Sequence, residues 1–103
     1  MANFVPLLKT SELPRGAKKT VFVAGKRIMV ANVDGKFFAI DDSCTHAGCS
    51  LGTEGFLDGN VITCGCHGGQ FDVTSGKVLA LPPTADEGTY EIKIEGDSVM
   101  VAV

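Results

Sequence analysis

Cys44-Thr45-His46-Ala47-Gly48-Cys49 and Cys64-Gly65-Cys66-His67-Gly68 hold every cysteine and every histidine of this 103-residue chain. The side chains best suited to a soft transition metal are therefore confined to two short segments. The spacing runs Cys-x-His, seventeen residues, then Cys-x-x-His, so each segment offers one thiolate and one imidazole. An even thiolate–imidazole set on two loops suits a [2Fe–2S] cluster in which two cysteines hold one iron and two histidines the other. The candidate ligands are Cys44, His46, Cys64 and His67. Cys49 and Cys66 are left over. If both loops wrap one cluster, these two come close, and they can form a disulfide or remain as two buried thiols.

Zinc is the main rival for such a set, because Cys/His clusters in small chains are commonly zinc sites. A zinc knuckle would use Cys-x-x-Cys or His-x-x-x-His pairs, and neither occurs here. An all-cysteine cluster needs all four cysteines and leaves two neighbouring histidines without a task. Glycine is dense around the candidate ligands, at Gly48, Gly52, Gly55, Gly65, Gly68 and Gly69. Tight loops with N–H groups turned toward sulfur call for the φ > 0 conformations that glycine reaches.

Outward from these segments the chain reads as short strands and turns. Strands are expected over 3–8, 19–24, 27–33, 36–40, 60–64, 70–73, 89–95 and 98–102, with turns at Gly25-Lys26, Asp34-Gly35, Asp58-Gly59-Asn60, Ser75-Gly76 and Gly96-Asp97. A short helical turn opened by Thr10 or Ser11 ends at Leu13-Pro14. No long amphipathic helix is expected. The fold class is all-β, a small antiparallel sandwich of stacked sheets, with residues 42–73 inserted as a cluster-binding unit. The length suits a single domain over 1–103. Asp41-Asp42 reads as a solvated turn, with positioning of the first ligand loop as the lesser alternative, and Lys18-Lys19 and Lys26-Arg27 read as solvated strand edges.

Several function classes drop out. Net charge is −3 and no Lys/Arg run exceeds two residues, which argues against nucleic-acid binding. The start Met1-Ala2-Asn3-Phe4-Val5-Pro6-Leu7-Leu8 lacks a basic region followed by an apolar stretch, so a cytoplasmic protein without a membrane anchor is expected. With both histidines on the cluster, no 2-His-1-carboxylate iron site remains, and no Gly-x-Gly-x-x-Gly follows a strand. The expectation is a carrier that does no substrate chemistry alone.

The two boxes resemble those of the Rieske iron–sulfur family, as do the Asp-Gly hairpins, Leu81-Pro82-Pro83 and the C-terminal strand pair. The resemblance implies a [2Fe–2S] cofactor on Cys44, His46, Cys64 and His67. It also implies an inter-loop cystine between Cys49 and Cys66, a feature of the quinol-oxidising branch that many Rieske ferredoxins lack. Pro82 would then lie in a third loop shielding the cluster. The implied partners are redox proteins, a reductase on one side and an oxygenase or other acceptor on the other. Two further readings stay open: a Rieske small subunit of an arsenite oxidase or nitrite reductase type of enzyme, and a zinc-stabilised interaction module.

Histidine ligation makes the oxidised site about two charges less negative than four thiolates would. It moves the potential into a window of roughly −150 to +300 mV rather than about −400 mV. Within that window, hydrogen bonds to the cluster sulfurs stabilise the reduced state. High-potential relatives place a serine and a tyrosine just after the second box, where this chain has Gly69 and Phe71. Both hydroxyls are missing, so a potential well below the quinol-oxidising class is expected. Accordingly, Gly69→Ser and Phe71→Tyr should each raise the midpoint potential, by about 60 mV for a charge-assisted bond of about 1.5 kcal/mol. Protein-film voltammetry at fixed pH checks this, and an unshifted potential in both variants would overturn it.

Overall fold

Ile28-Met29-Val30-Ala31 is an unbroken apolar run where a half-buried strand would alternate. In the computed structural model, which describes residues 3–43, 49–66, 68–80 and 86–103, both faces of this strand are covered. Ile28 and Val30 face Leu8, Val99 and Val101, whereas Met29 and Ala31 face Leu51, Ile62, Phe71 and Val73. All four residues of the run are fully buried. A strand walled in on both sides has no solvent face to mark with polar residues.

The strands fall into three antiparallel sheets. The first joins β1 (Phe4–Lys9), β11 (Ser98–Ala102) and β10 (Ile92–Glu95) in that order. The second runs β2 (Lys18–Val23), β3 (Lys26–Val33), β4 (Lys36–Asp41) and β9 (Thr89–Tyr90). The third runs β5 (Phe56–Asp58), β6 (Val61–Thr63), β7 (Gln70–Asp72) and β8 (Val78–Ala80). A single helical turn, α1 (Leu51–Glu54), leads into the third sheet. The second sheet is the shared wall: its β3 packs the first sheet on one side and the third sheet with α1 on the other.

The all-β sandwich expected from the sequence is thus observed, and the expected strands match to within a residue or two in most cases. The β3–β4 hairpin closes through Asp34 at φ 53° and Gly35 at φ 94°, the paired left-handed residues that a two-residue hairpin requires. The helical turn near Thr10 is a 3-10 turn over Thr10–Glu12. Three elements were not anticipated: α1, β5 and β8. The expected strand 89–95 is two strands, β9 and β10, which join different sheets. The third sheet also runs on to Ala80, beyond the anticipated boundary at 73.

β9 is held to the end of β4 by side chains as well as backbone. The Tyr90 hydroxyl donates to Asp41 Oδ1, and the Asp41 N–H donates to the Gly88 carbonyl at 2.8 Å. Burial, reinforced by the Asp41 carboxylate, pushes the Tyr90 phenol up to about 12. A raised tyrosine pKa favours the protonated folded state, so its stabilisation is complete below the unfolded value of 10.0 and is lost as pH rises through about 12. Tyr90 is the single tyrosine and there is no tryptophan. A phenolate absorbance titration should therefore show one transition near the upper value, with thermal stability falling over the same interval; titration at the ordinary value would contradict the contact.

Candidate metal centre

Two loops leave the second and third sheets toward one another. Loop two, residues 64–69, closes the β6–β7 hairpin. The Cys64 N–H donates to the Gly69 carbonyl at 2.7 Å and the Gly68 N–H donates to the Cys64 carbonyl at 3.0 Å. Gly68 sits at φ 76°, open to solvent, where a side chain would be strained. This turn fixes Cys64 at the end of β6 with its thiol free and only 2 % of the residue exposed. Gly69 is buried, and Phe71 is fully buried in the same apolar cluster as Cys64.

Loop one is described only at its two stems. Ser43 and Ser50 form an isolated antiparallel bridge, and the Leu51 N–H donates to the Asp42 carbonyl at 2.7 Å. Ser50 then caps α1 by accepting from the Thr53 N–H at 3.3 Å. Leu51 is fully buried against Ile62 and Phe71, which seats the turn on the third sheet.

A disulfide joins the two loops. Cys49 and Cys66 are covalently linked, with their Cα atoms 6.6 Å apart. The sulfurs of Cys49, Cys64 and Cys66 all lie within 4.8 Å of one another. Of the three, only Cys64 keeps a thiol able to ligate a metal, because the other two are spent in the cystine. An all-cysteine cluster is therefore incompatible with this arrangement. The donor chemistry fits a mixed site instead: one buried thiol from loop two, placed against the cystine that draws loop one to it. The other candidates, Cys44, His46, His67 and Pro82, lie outside the described residues.

Loop two also meets the end of α1 through backbone. A Cβ on Gly65 would stand 1.8 Å from the Glu54 carbonyl oxygen, so only glycine lets loop two approach the end of α1 this closely. On the cystine's open side, the Glu54 carboxylate reaches within 3.3 Å of Cys66 Sγ.

Asp42 departs from its reading as a solvated turn, for it is fully buried. Its carboxylate accepts from Thr20 Oγ1 at 2.9 Å, Ser50 Oγ at 2.5 Å and the Gly52 N–H at 2.7 Å, and pairs with Arg27 Nε at 2.8 Å. Arg27 Nη2 also donates to Ser43 Oγ at 2.6 Å, and Lys18 Nζ donates to the Gly52 carbonyl at 2.6 Å. Lys18 and Arg27 are thus engaged with the stems of loop one rather than lying along solvated edges. Nothing in the local sequence pattern marks this network, since its members come from β2, β3 and both stems.

Comparison with known proteins accords with this geometry. Residues 3–99 match the family described as the Rieske [2Fe–2S] domain. The biphenyl dioxygenase ferredoxin subunit of Pseudomonas sp. (strain KKS102) is 41% identical over 99 residues, covering 96% of this chain and 91% of that protein. The ferredoxin component of the naphthalene 1,2-dioxygenase system of Pseudomonas aeruginosa is 42% identical over 90 residues, 87% of this chain and 86% of that one. Among solved structures, a chain of the complex of reduced oxygenase and oxidized ferredoxin in carbazole 1,9a-dioxygenase superposes with a TM-score of 0.90 at 35% identity, over 96% of this chain and 92% of that chain.

The close approach at Gly65 gives a direct test of how tightly the loops are seated. Gly65→Ala forces a methyl against a carbonyl oxygen that cannot rotate away, a backbone overlap expected to cost about 1–3 kcal/mol. The melting temperature should fall by roughly 4–8 °C per kcal/mol. An unchanged melting curve would show that loop two and α1 are not in contact there.

Proposed function

Since this chain belongs to the Rieske [2Fe–2S] family, we propose that it serves as the ferredoxin of a dioxygenase system, taking one electron from a reductase and delivering it to the oxygenase component. The protein is a one-electron carrier and not itself a catalyst. The observation that carries the reading is Cys64: a buried free thiol set against an inter-loop cystine, in a chain whose relatives over almost its full length are dioxygenase ferredoxins.

In this reading Cys44 and Cys64 hold one iron and His46 and His67 the other, and residues 1–103 act as one domain. When bound, the cluster accepts and returns a single electron. The chain's own residues hold the two ligand loops at a fixed separation and bury the Cys64 side. Gly69 and Phe71 bring no hydroxyl to the second loop, which supports a low-potential carrier over a quinol oxidant. No helix among the described residues is long and apolar enough to cross a membrane. A cytoplasmic address is part of the proposal, supported by likeness to ferredoxin components; a cystine is uncommon in that compartment.

Purified holoprotein should show a visible absorption spectrum and, once reduced, the EPR signal of a mixed-ligand cluster. It should also restore substrate-dependent oxygen uptake to a biphenyl or naphthalene dioxygenase system lacking its ferredoxin. A colourless zinc protein would end this reading. Replacing His46 or His67 with cysteine, or Cys44 or Cys64 with serine, should abolish or transform the EPR signal. Cys49→Ser and Cys66→Ser should leave a recognisable cluster. Loss of the cluster in those two variants, with either histidine dispensable, would overturn the ligand assignment.

A further inference from the structure

The Asp42 carboxylate joins four separate segments at one point. Thr20 comes from β2, Arg27 from β3, and Ser50 and the Gly52 N–H from the descending stem of loop one and the α1 turn that continues it, while Asp42 itself ends the ascending stem. Two residues further on is Cys44, and one residue before Ser50 is Cys49. The carboxylate therefore grips both ends of the loop that carries half of the proposed ligands and ties them to the central sheet.

The packing leaves this grip little freedom. A Cβ on Gly52 would lie 2.0 Å from Thr20 Oγ1, 2.8 Å from Asp42 Oδ1 and 2.9 Å from the Thr20 backbone nitrogen, so the turn after loop one lies directly on β2. Thr20 Oγ1 is also 3.2 Å from Ser50 Oγ, which closes the network on itself. Both carboxylate oxygens are occupied, Oδ1 by Thr20 and Gly52 and Oδ2 by Ser50 and Arg27. A carboxylate with both oxygens engaged from different directions cannot rotate without breaking charge-assisted bonds. Burying an ion pair gives little net stability, because desolvation offsets most of the attraction. What the arrangement does supply is one fixed orientation of the loop stems.

We propose that Asp42, with Thr20 and Arg27, is a positioning network that sets how loop one presents its cysteine and histidine to the cluster. The proposal rests on the ligand reading above, and the cystine is its counterpart: Cys49–Cys66 ties the loops to each other, whereas Asp42 ties loop one to the central sheet.

Thr20 gives the cleanest test, because it lies on β2, far from the ligands in sequence, and offers a conservative control. In the holoprotein, Thr20→Val removes the hydroxyl at nearly the same volume and Thr20→Ser keeps it. Expected for Thr20→Val are shifted or broadened g-values in the reduced EPR spectrum and release of iron to a chelator about tenfold faster, the scale of one hydrogen bond to a charged acceptor. Thr20→Ser should match wild type in both, and Asp42→Asn should move both in the same direction as Thr20→Val. Wild-type EPR and iron release in Thr20→Val, whatever its melting temperature, would overturn the proposal, as would equal changes in Thr20→Ser. Should Asp42→Asn and Thr20→Val fail to accumulate as folded protein, Ser50→Ala removes one donor from the half-buried end and is read the same way. A wild-type protein with no cluster signal at all would instead defeat the ligand reading.

Discussion

Burial of β3 on both faces is the constraint on which the rest of the structure depends. A strand with Ile28 and Val30 on one side and Met29 and Ala31 on the other must be covered twice, so the chain needs a layer on each side of the central sheet. The terminal strands β1, β10 and β11 provide one layer. The other is assembled from α1 and the short strands β5 to β8, none of which is longer than four residues. Elements that short do not stand alone in water. They are held because Leu51, Ile62, Phe71 and Val73 complete the core under Met29, Ala31 and Ile40.

The described part of the candidate centre is seated on that packing. Cys64 follows directly on β6, and Ile62 and Phe71 on either side of its hairpin are fully buried. Among the described residues, the stems of loop one meet only through the isolated Ser43–Ser50 bridge and have no such hairpin beneath them. Loop one is secured by polar contacts instead, through Asp42 at its stems and through the cystine at Cys49. The stems are thus fixed by different kinds of interaction, apolar packing beneath loop two and polar contacts beneath loop one, and the cystine couples the two.

What the sequence disclosed follows from how local each signal is. The Cys/His spacing, the Asp34-Gly35 hairpin and the all-β class depend on neighbouring residues, and all were legible. The inter-loop cystine was anticipated from resemblance and is present. β5 and β8 were not legible, since three residues are too few to establish an alternation. β8 is further obscured by an irregular register against β7 between Gln70 and Phe71. The break between β9 and β10 was hidden for another reason: the residues suit strands throughout, and only the tertiary fold sends them to different sheets. For Asp42 the lesser alternative prevails over the solvated turn, because two adjacent aspartates look solvated until Thr20 and Arg27, far away in sequence, are brought to one of them. The sequence offered the candidate ligands, but not the groups that hold the loop stems.

Charge placement bears on the candidate centre chiefly through one acidic side chain, Glu54. Between residues 42 and 73 the chain has Asp42, Glu54, Asp58 and Asp72 and no lysine or arginine at all. Asp42 is paired with Arg27, which reaches in from β3. Asp58 and Asp72 both lie opposite Val61, at the end of the third sheet away from loop two, and Asp72 is held below the usual carboxylate range chiefly by the hydrogen bond from the Thr74 hydroxyl. Glu54 lies against the cystine itself. Negative charge around a redox centre opposes the arrival of an electron, and a poorly solvated surround strengthens that opposition. The apolar floor made by Phe71, Ile62 and Leu51 gives such a surround on the Cys64 side. Net charge, burial and hydrogen bonding are three of the levers a protein has over such a centre. On the Cys64 side of the proposed centre, Glu54 and the apolar floor both act toward the oxidised form.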